Sequence, residues 1–272
     1  MRFSAVVRLP TWKTGTKIND TQEVKTMQEN LHQALRAELR DLWKNGQEIW
    51  SEYLNGKWKF PEAVCVEYGK TCTLHRGYYC PSPIQDIVIG NNKRGPHSKT
   101  LRPEWAAGWY FRYAFDENRD LMKVESIGPG WTPIPEYLFR VDDTVWGIQV
   151  EGTHIRSVSR EVYWNGRIKE YTLATVSSAM LCQIKKETYE YDDMGLCGAA
   201  LTQLEMFDRF CQRPAPFLDE TAPSYKESLF RGAYRFERAD GFLVSYTARS
   251  GYNDSFNTAR AGTYPVLLRR KA

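Results

Sequence analysis

The 272-residue sequence lacks the short motifs that announce a reaction. It has no GxxxxGK[ST] phosphate loop, no GxGxxG after a strand pattern, no HExxH and no GxSxG elbow. Their absence removes the readiest signatures of nucleotide binding, metalloprotease chemistry and serine hydrolysis. No run approaches the roughly 20 apolar residues that a membrane helix requires. The opening Met1-Arg-Phe-Ser-Ala-Val-Val-Arg-Leu-Pro is too short and too broken by charge for a signal-peptide core. A soluble, cytoplasmic protein without membrane association is the expectation. Charge of one sign is also scarce, with 37 basic against 33 acidic side chains and a formal net charge of +4. That is too little to argue for nucleic acid, whose binders concentrate basic residues on one face or stripe. The dense basic run, Arg269-Arg270-Lys271, is adequately explained as a solvated terminus.

Apolar and aromatic residues are plentiful, at 42% and 14%, which marks a folded chain. The length allows one large domain or two small ones. A division into a helix and loop-rich segment (1–105) and a sheet region (106–272) is expected, and the two can equally form one domain.

Residues 20–55 carry the strongest helix signal. Asp20-Thr-Gln-Glu23 has the form of a capping box, and Gly56 stands where a C-terminal cap belongs. Between them Val24, Met27, Leu31, Leu35, Leu39, Leu42, Gly46, Ile49 and Tyr53 recur every three or four residues. This amphipathic stripe is expected to cover a sheet, with a coiled-coil dimer as the competing use. Asn45-Gly46 is a point where the helix could divide.

From Trp109 to Leu201, short alternating runs are interrupted by compact turn signals, the pattern of an antiparallel β-meander. Residues 109–115 and 121–127 flank a polar turn, and residues 144–151 lead through Gly152-Thr153 into a run ending at Tyr163. Asn165-Gly166 is the sharpest signal, because both residues accept positive φ in a type I′ hairpin. Residues 181–191 form a further candidate strand. Residues 197–211 show helical spacing in Leu201, Leu204, Phe207 and Phe210, and a terminal hairpin is expected around the Arg238-Ala-Asp-Gly241 turn. The fold class is therefore α+β: an N-terminal amphipathic helix packed on a large twisted antiparallel meander, with a loop-rich insertion.

That insertion, from Trp58 to Trp105, is punctuated by proline and glycine and holds three of the six cysteines. Cys65, Cys72, His75 and Cys80 fall within sixteen residues and could close a Cys3His zinc site. The spacing matches no standard zinc module, and the alternation around Cys65 favours separate buried thiols. A second constellation lies on the meander. His154, Arg156 and Arg160 share one side of their strand by the two-residue period, with Glu151 across the turn. His154, Glu151 and Arg156 could carry general acid/base chemistry of a hydrolytic kind, whereas mixed charge on an exposed sheet face is the ordinary alternative.

Two segments, Tyr113-Ala-Phe115-Asp116-Glu-Asn-Arg-Asp-Leu121 and Tyr189-Glu-Tyr191-Asp192-Asp-Met-Gly195-Leu196, resemble the YD repeat of RHS-type proteins. The first has Arg119 or Asp120 where the repeat's turn glycine would stand, and the second lacks one residue between glycine and leucine. The resemblance implies β-hairpins with an aromatic face over parts of residues 109–247. YD repeats occur in bacterial polymorphic toxin systems, so it also implies an immunity or antitoxin-like protein. Nine tryptophans and sixteen tyrosines without a catalytic signature point the same way, since Tyr, Trp and Arg make the strongest interface anchors. The expected function is binding of a protein partner, through Trp146, Trp164, Tyr163 and Arg160. An enzyme using the His154 cluster or a metal, and a nucleic-acid-binding protein, are the alternatives.

Overall fold

A computed structural model describes residues 21–85, 94–176, 181–207, 226–239, 242–252 and 258–263. Among these residues the architecture is mainly β with one long helix. Helix α1 (Thr21–Leu54) runs through Asn45-Gly46 without a break and ends before Gly56, whose φ of +77° fits the expected cap. The capping box and the stripe positions Val24 and Met27 lie outside the described side chains.

Strands β1 (Cys65–Lys70), β2 (His97–Ser98), β3 (Tyr110–Phe115), β4 (Leu121–Ile127), β5 (Ile134–Val141), β6 (Thr144–Glu151) and β7 (His154–Trp164) build half of one antiparallel sheet. The other half comprises β8 (Arg167–Val176), β9 (Leu181–Asp192), β10 (Gly195–Phe207), β11 (Lys226–Ala239), β12 (Phe242–Tyr252) and β13 (Thr258–Thr263). From β3 to β13 every strand pairs with its sequence neighbour, and β1 and then β2 extend the β3 edge. Strand pairing between β1 and β3 therefore crosses the 105/106 division. Asn165 and Gly166 turn β7 into β8 with φ of +50° and +72°, as the hairpin signal predicts.

Residues 197–211 are the clear departure from expectation. The part within the described residues is strand β10. Leu201 and Leu204, three apart, point to opposite faces of a strand, and each enters a different buried cluster. Both faces of the sheet are covered here, so an apolar residue on either side mimics helical spacing.

Helix α1 covers one face. Leu35, Leu39, Leu42 and Trp43 pack on Val158, Ala174, Ile184, Leu204 and Leu229, one from each of β7 to β11. Farther along, Ile49, Trp50 and Tyr53 join Trp58 and Phe60 over Phe139, Ile148 and Val150 of β5 and β6. Fully burying a leucine contributes about 1.5–3 kcal/mol, and Leu39 and Leu42 are both completely buried. Gly46 allows close approach, because a Cβ there would lie 2.6 Å from a Val158 methyl.

The opposite face is covered by residues 71–85, a strap that crosses the sheet with a single 3-10 turn at Gly77–Tyr79. Leu74, Arg76, Cys80, Ser82, Ile84 and Gln85 are buried beneath or within it.

Candidate functional site

The strap is held by charge. Alternation along β5 and β7 directs Glu136, Ser159 and Glu161 to the strap face, where the Arg76 guanidinium meets all three. Its Nε and Nη2 donate to Glu136 Oε1 at 3.0 and 2.8 Å, Nη2 donates to Ser159 Oγ at 2.8 Å, and Nη1 donates to Glu161 Oε1. Gly147 makes the room, since a Cβ there would sit 2.2 Å from both Arg76 Nη2 and Glu136 Oε1. Arg76 itself adopts a left-handed φ of +59°, and its carbonyl accepts a hydrogen bond from Tyr113 at 3.1 Å.

Neighbouring groups complete this anchor. His75 Nε2 lies 3.0 Å from Glu136 Oε2, and its Nδ1 lies 2.7 Å from the Tyr171 hydroxyl. Burial pushes the Glu136 carboxyl up, but Arg76 and then His75 outweigh it and hold it well below the usual carboxylate range. Two strands over, Glu187 forms a second socket. It accepts hydrogen bonds from Ser82, from Gln85 at 2.9 Å and from Tyr189 at 2.6 Å. Arg94 ties the strap to itself by donating to the carbonyls of Cys80 and Ser82, both at 2.6 Å.

Beside the strap lies an open cleft of about 760 Å3. Tyr78, Tyr79 and Pro81 of the strap line it together with Leu138 and Arg140 of β5, Val145 of β6, and Glu161 and Tyr163 of β7. A second hollow of about 430 Å3 shares Arg140 and Tyr163 with it and reaches the hairpin turns, where Asp120, Asp142, Asp143 and Gly166 complete the lining. Tyr163 donates to Glu161 Oε2 at 2.8 Å, and burial together with that carboxylate keeps its phenol protonated well above the ordinary range. Burial pushes the Cys80 thiol up to about 11, so it is not poised as a nucleophile.

The residues expected to form sites are distributed differently. For the zinc set, Cys65 Sγ accepts from Arg119 at 2.8 Å, His75 is engaged by Glu136 and Tyr171, and Cys80 is buried in the strap beside the cleft. Cys72 is a free, half-buried thiol. Among the described residues no three His, Cys, Asp or Glu side chains gather as a metal-holding group; Cys65, Cys72 and Cys80 stand as separate thiols, the alternative to the Cys3His set, and His75 is part of the strap's anchor.

In the second constellation, Glu151 and Arg156 are paired with each other and His154 stands exposed at the turn. A bulge pairs Gln149 with Ser157 but Val150 with Ile155. Arg156 has no opposite number there, so the two-residue period does not carry through to align His154, Arg156 and Arg160.

The expected partner-binding set splits between surfaces. Trp146 and Arg160 lie under α1, where Trp146 packs into the helix clusters and Arg160 donates to Glu38 at 3.1 Å and to Glu170 at 2.5 Å. Tyr163 lines the cleft, and Trp164 stands on the β7–β8 turn, 66% exposed. Sequence reasoning missed Arg76, Glu136, Glu161 and Glu187. Glu161 and Glu187 sit in alternating runs where a glutamate ordinarily faces solvent, Glu136 lies in a stretch not expected to be a strand, and the signal of all three lay only in the strap that covers them.

A scan against protein-family models finds no match, and searches of curated proteins and of solved structures find no significant match.

Proposed function

We propose that the protein is a binding factor for a protein partner, engaged at the end of the sheet where the β7–β8 and β9–β10 hairpins turn. The observation that carries this reading is a pair of large apolar side chains, Trp164 and Met194, each 66% exposed on neighbouring turns. The turns are adjacent because β8 pairs with β9, and Arg167 links them by donating to the Asp192 carbonyl at 3.3 Å. The tryptophan brings much apolar area for the ordering of two side-chain torsions, and methionine is likewise enriched at interfaces, so the pair has the make-up of an apolar contact centre. The YD-like segments end on the same side of the sheet, at the β3–β4 and β9–β10 turns. An immunity or antitoxin-like role is one form of this reading.

The test is crosslinked capture from cells that produce the protein, comparing the wild type with Trp164→Ser/Met194→Ser. Loss of a specific captured protein in the variant is expected. Capture of the same proteins with equal yield by both would sink the proposal.

A further inference from the structure

The two ends of the meander differ in charge. At the end bearing Trp164 and Met194, the β3–β4 turn contributes Asp116, Glu117 and Asp120, the β5–β6 turn Asp142 and Asp143, and the β9–β10 turn Asp192 and Asp193. Among the described residues of these turns and of the β7–β8 turn, with their strand ends, the seven carboxylates stand with three arginines, and each arginine has a local partner. Arg119 donates to Glu67, Arg140 to Asp120, and Arg167 to the Asp192 carbonyl. At the opposite end, residues 128–133 carry no charged side chain, while Glu151, His154 and Arg156 flank the turn at 152–153. A chain of net charge +4 thus concentrates negative charge around its two exposed apolar anchors.

We infer that this rim docks a basic protein surface, with Trp164 and Met194 making the apolar contact and the surrounding aspartates meeting lysine or arginine side chains. The inference rests on the partner-binding reading above and adds the chemistry of the partner. Carboxylates ringing an apolar centre steer a cationic surface toward it and repel an anionic one. The same sign disfavours phosphate, so nucleic acid is not the occupant of this end. Asp142 and Asp143 line the 430 Å3 hollow together with Asp120, Tyr163 and Gly166, so residues that flank Trp164 in sequence share a negatively charged recess.

The experiment uses the full chain with hexa-arginine, hexalysine and hexaglutamate peptides as probes, read from the Trp164 indole N–H resonance. Both basic peptides are expected to shift that resonance saturably while leaving the Trp131 indole, 67% exposed in the charge-free 128–133 turn, unmoved. Asp142→Asn/Asp143→Asn/Asp193→Asn is expected to weaken this binding about tenfold. Circular dichroism checks that the variant is folded. Binding of hexaglutamate at the rim, or unchanged affinity in the aspartate variant, overturns the basic-partner inference.

Capture from cells then separates the two levels. If Trp164→Ser/Met194→Ser loses the partner while the aspartate variant retains it at full strength, the basic-partner inference falls and the binding reading stands. If neither variant alters capture, both fall. Self-association abolished by the rim variants would put a second copy at this surface and would also overturn the inference.

Discussion

The two faces of the sheet are covered by opposite means. On one, α1 lays leucine and tryptophan against valine, alanine and isoleucine, with ion pairs such as Glu38 to Lys186 at 2.7 Å confined to the half-buried flank. On the other, the strap buries Arg76 against Glu136 and Glu161, and Ser82 and Gln85 against Glu187. Apolar packing stabilises in proportion to area and tolerates sliding. A buried charge network contributes less net stability but tolerates no substitute geometry, because a missing partner leaves an ion uncompensated. The helix should therefore set how strongly this fold holds, and the strap where its chain must lie.

The sharpest break of that contrast is Arg76→Ala, which strands two buried carboxylates. A loss of about 3–5 kcal/mol is expected in denaturant unfolding. Replacing Arg76, Glu136 and Glu161 together by apolar residues of similar volume should recover most of it, which a purely additive account would not allow. On the helix face Leu39→Ala should cost about 2–4 kcal/mol, with no comparable rescue by changing its neighbours.

Acid should separate the faces without mutation. The depressed Glu136 carboxyl contributes stability that is fully present above the ordinary carboxylate range. That contribution declines as pH falls below the range and is gone once pH passes the depressed folded value. Hydrogen exchange at decreasing pH should show the strap amides losing protection before those of α1 between Leu35 and Trp43.

Gly46→Ala sets helix propensity, which favours alanine by about 1 kcal/mol, against overlap with Val158. A net loss of about 1–2 kcal/mol is expected, and a rise in melting temperature would show that the helix can shift outward. The smallest effect belongs to Lys44→Ala. Its exposed pair with Glu48, 4.0 Å away, should contribute no more than about 0.5 kcal/mol.

The same contrast explains what could be read from the sequence. The helix stripe from Leu31 to Tyr53 and the turns at Asn165-Gly166 and Gly152-Thr153 depend on local periodicity and local backbone preference, which a sequence displays directly. Strand β5 was concealed by Pro133 and Pro135 at its entry. β10 was concealed by burial on both faces. The strap network was invisible for a different reason: the bonds from Arg76, Ser82 and Gln85 to the sheet glutamates join residues 60 or more positions apart, such as Arg76 with Glu136 and Ser82 with Glu187. Neither partner has a local pattern that marks it. The loop-rich composition of residues 58–105 did indicate a segment that something must hold. The holding groups proved to be carboxylates on the sheet, with the cysteines outside the anchor. Of the rim, Trp164 was singled out by its aromatic character and the turn by its Asn-Gly, but its adjacency to Met194 required the strand order.

Next-neighbour pairing also gives the chain a direction in time. The meander can be built one hairpin after another as residues leave the ribosome, yet Arg76 and Ser82 of the strap are made before the carboxylates that anchor them. Glu136 follows Arg76 by 60 residues, and Glu187 follows Ser82 by 105. At about 5–20 residues per second, Arg76 waits roughly 3–12 s for its first carboxylate, and Ser82 waits roughly 5–20 s. The segment synthesised among the first is therefore among the last to settle, and its arrival closes over a sheet already laid down.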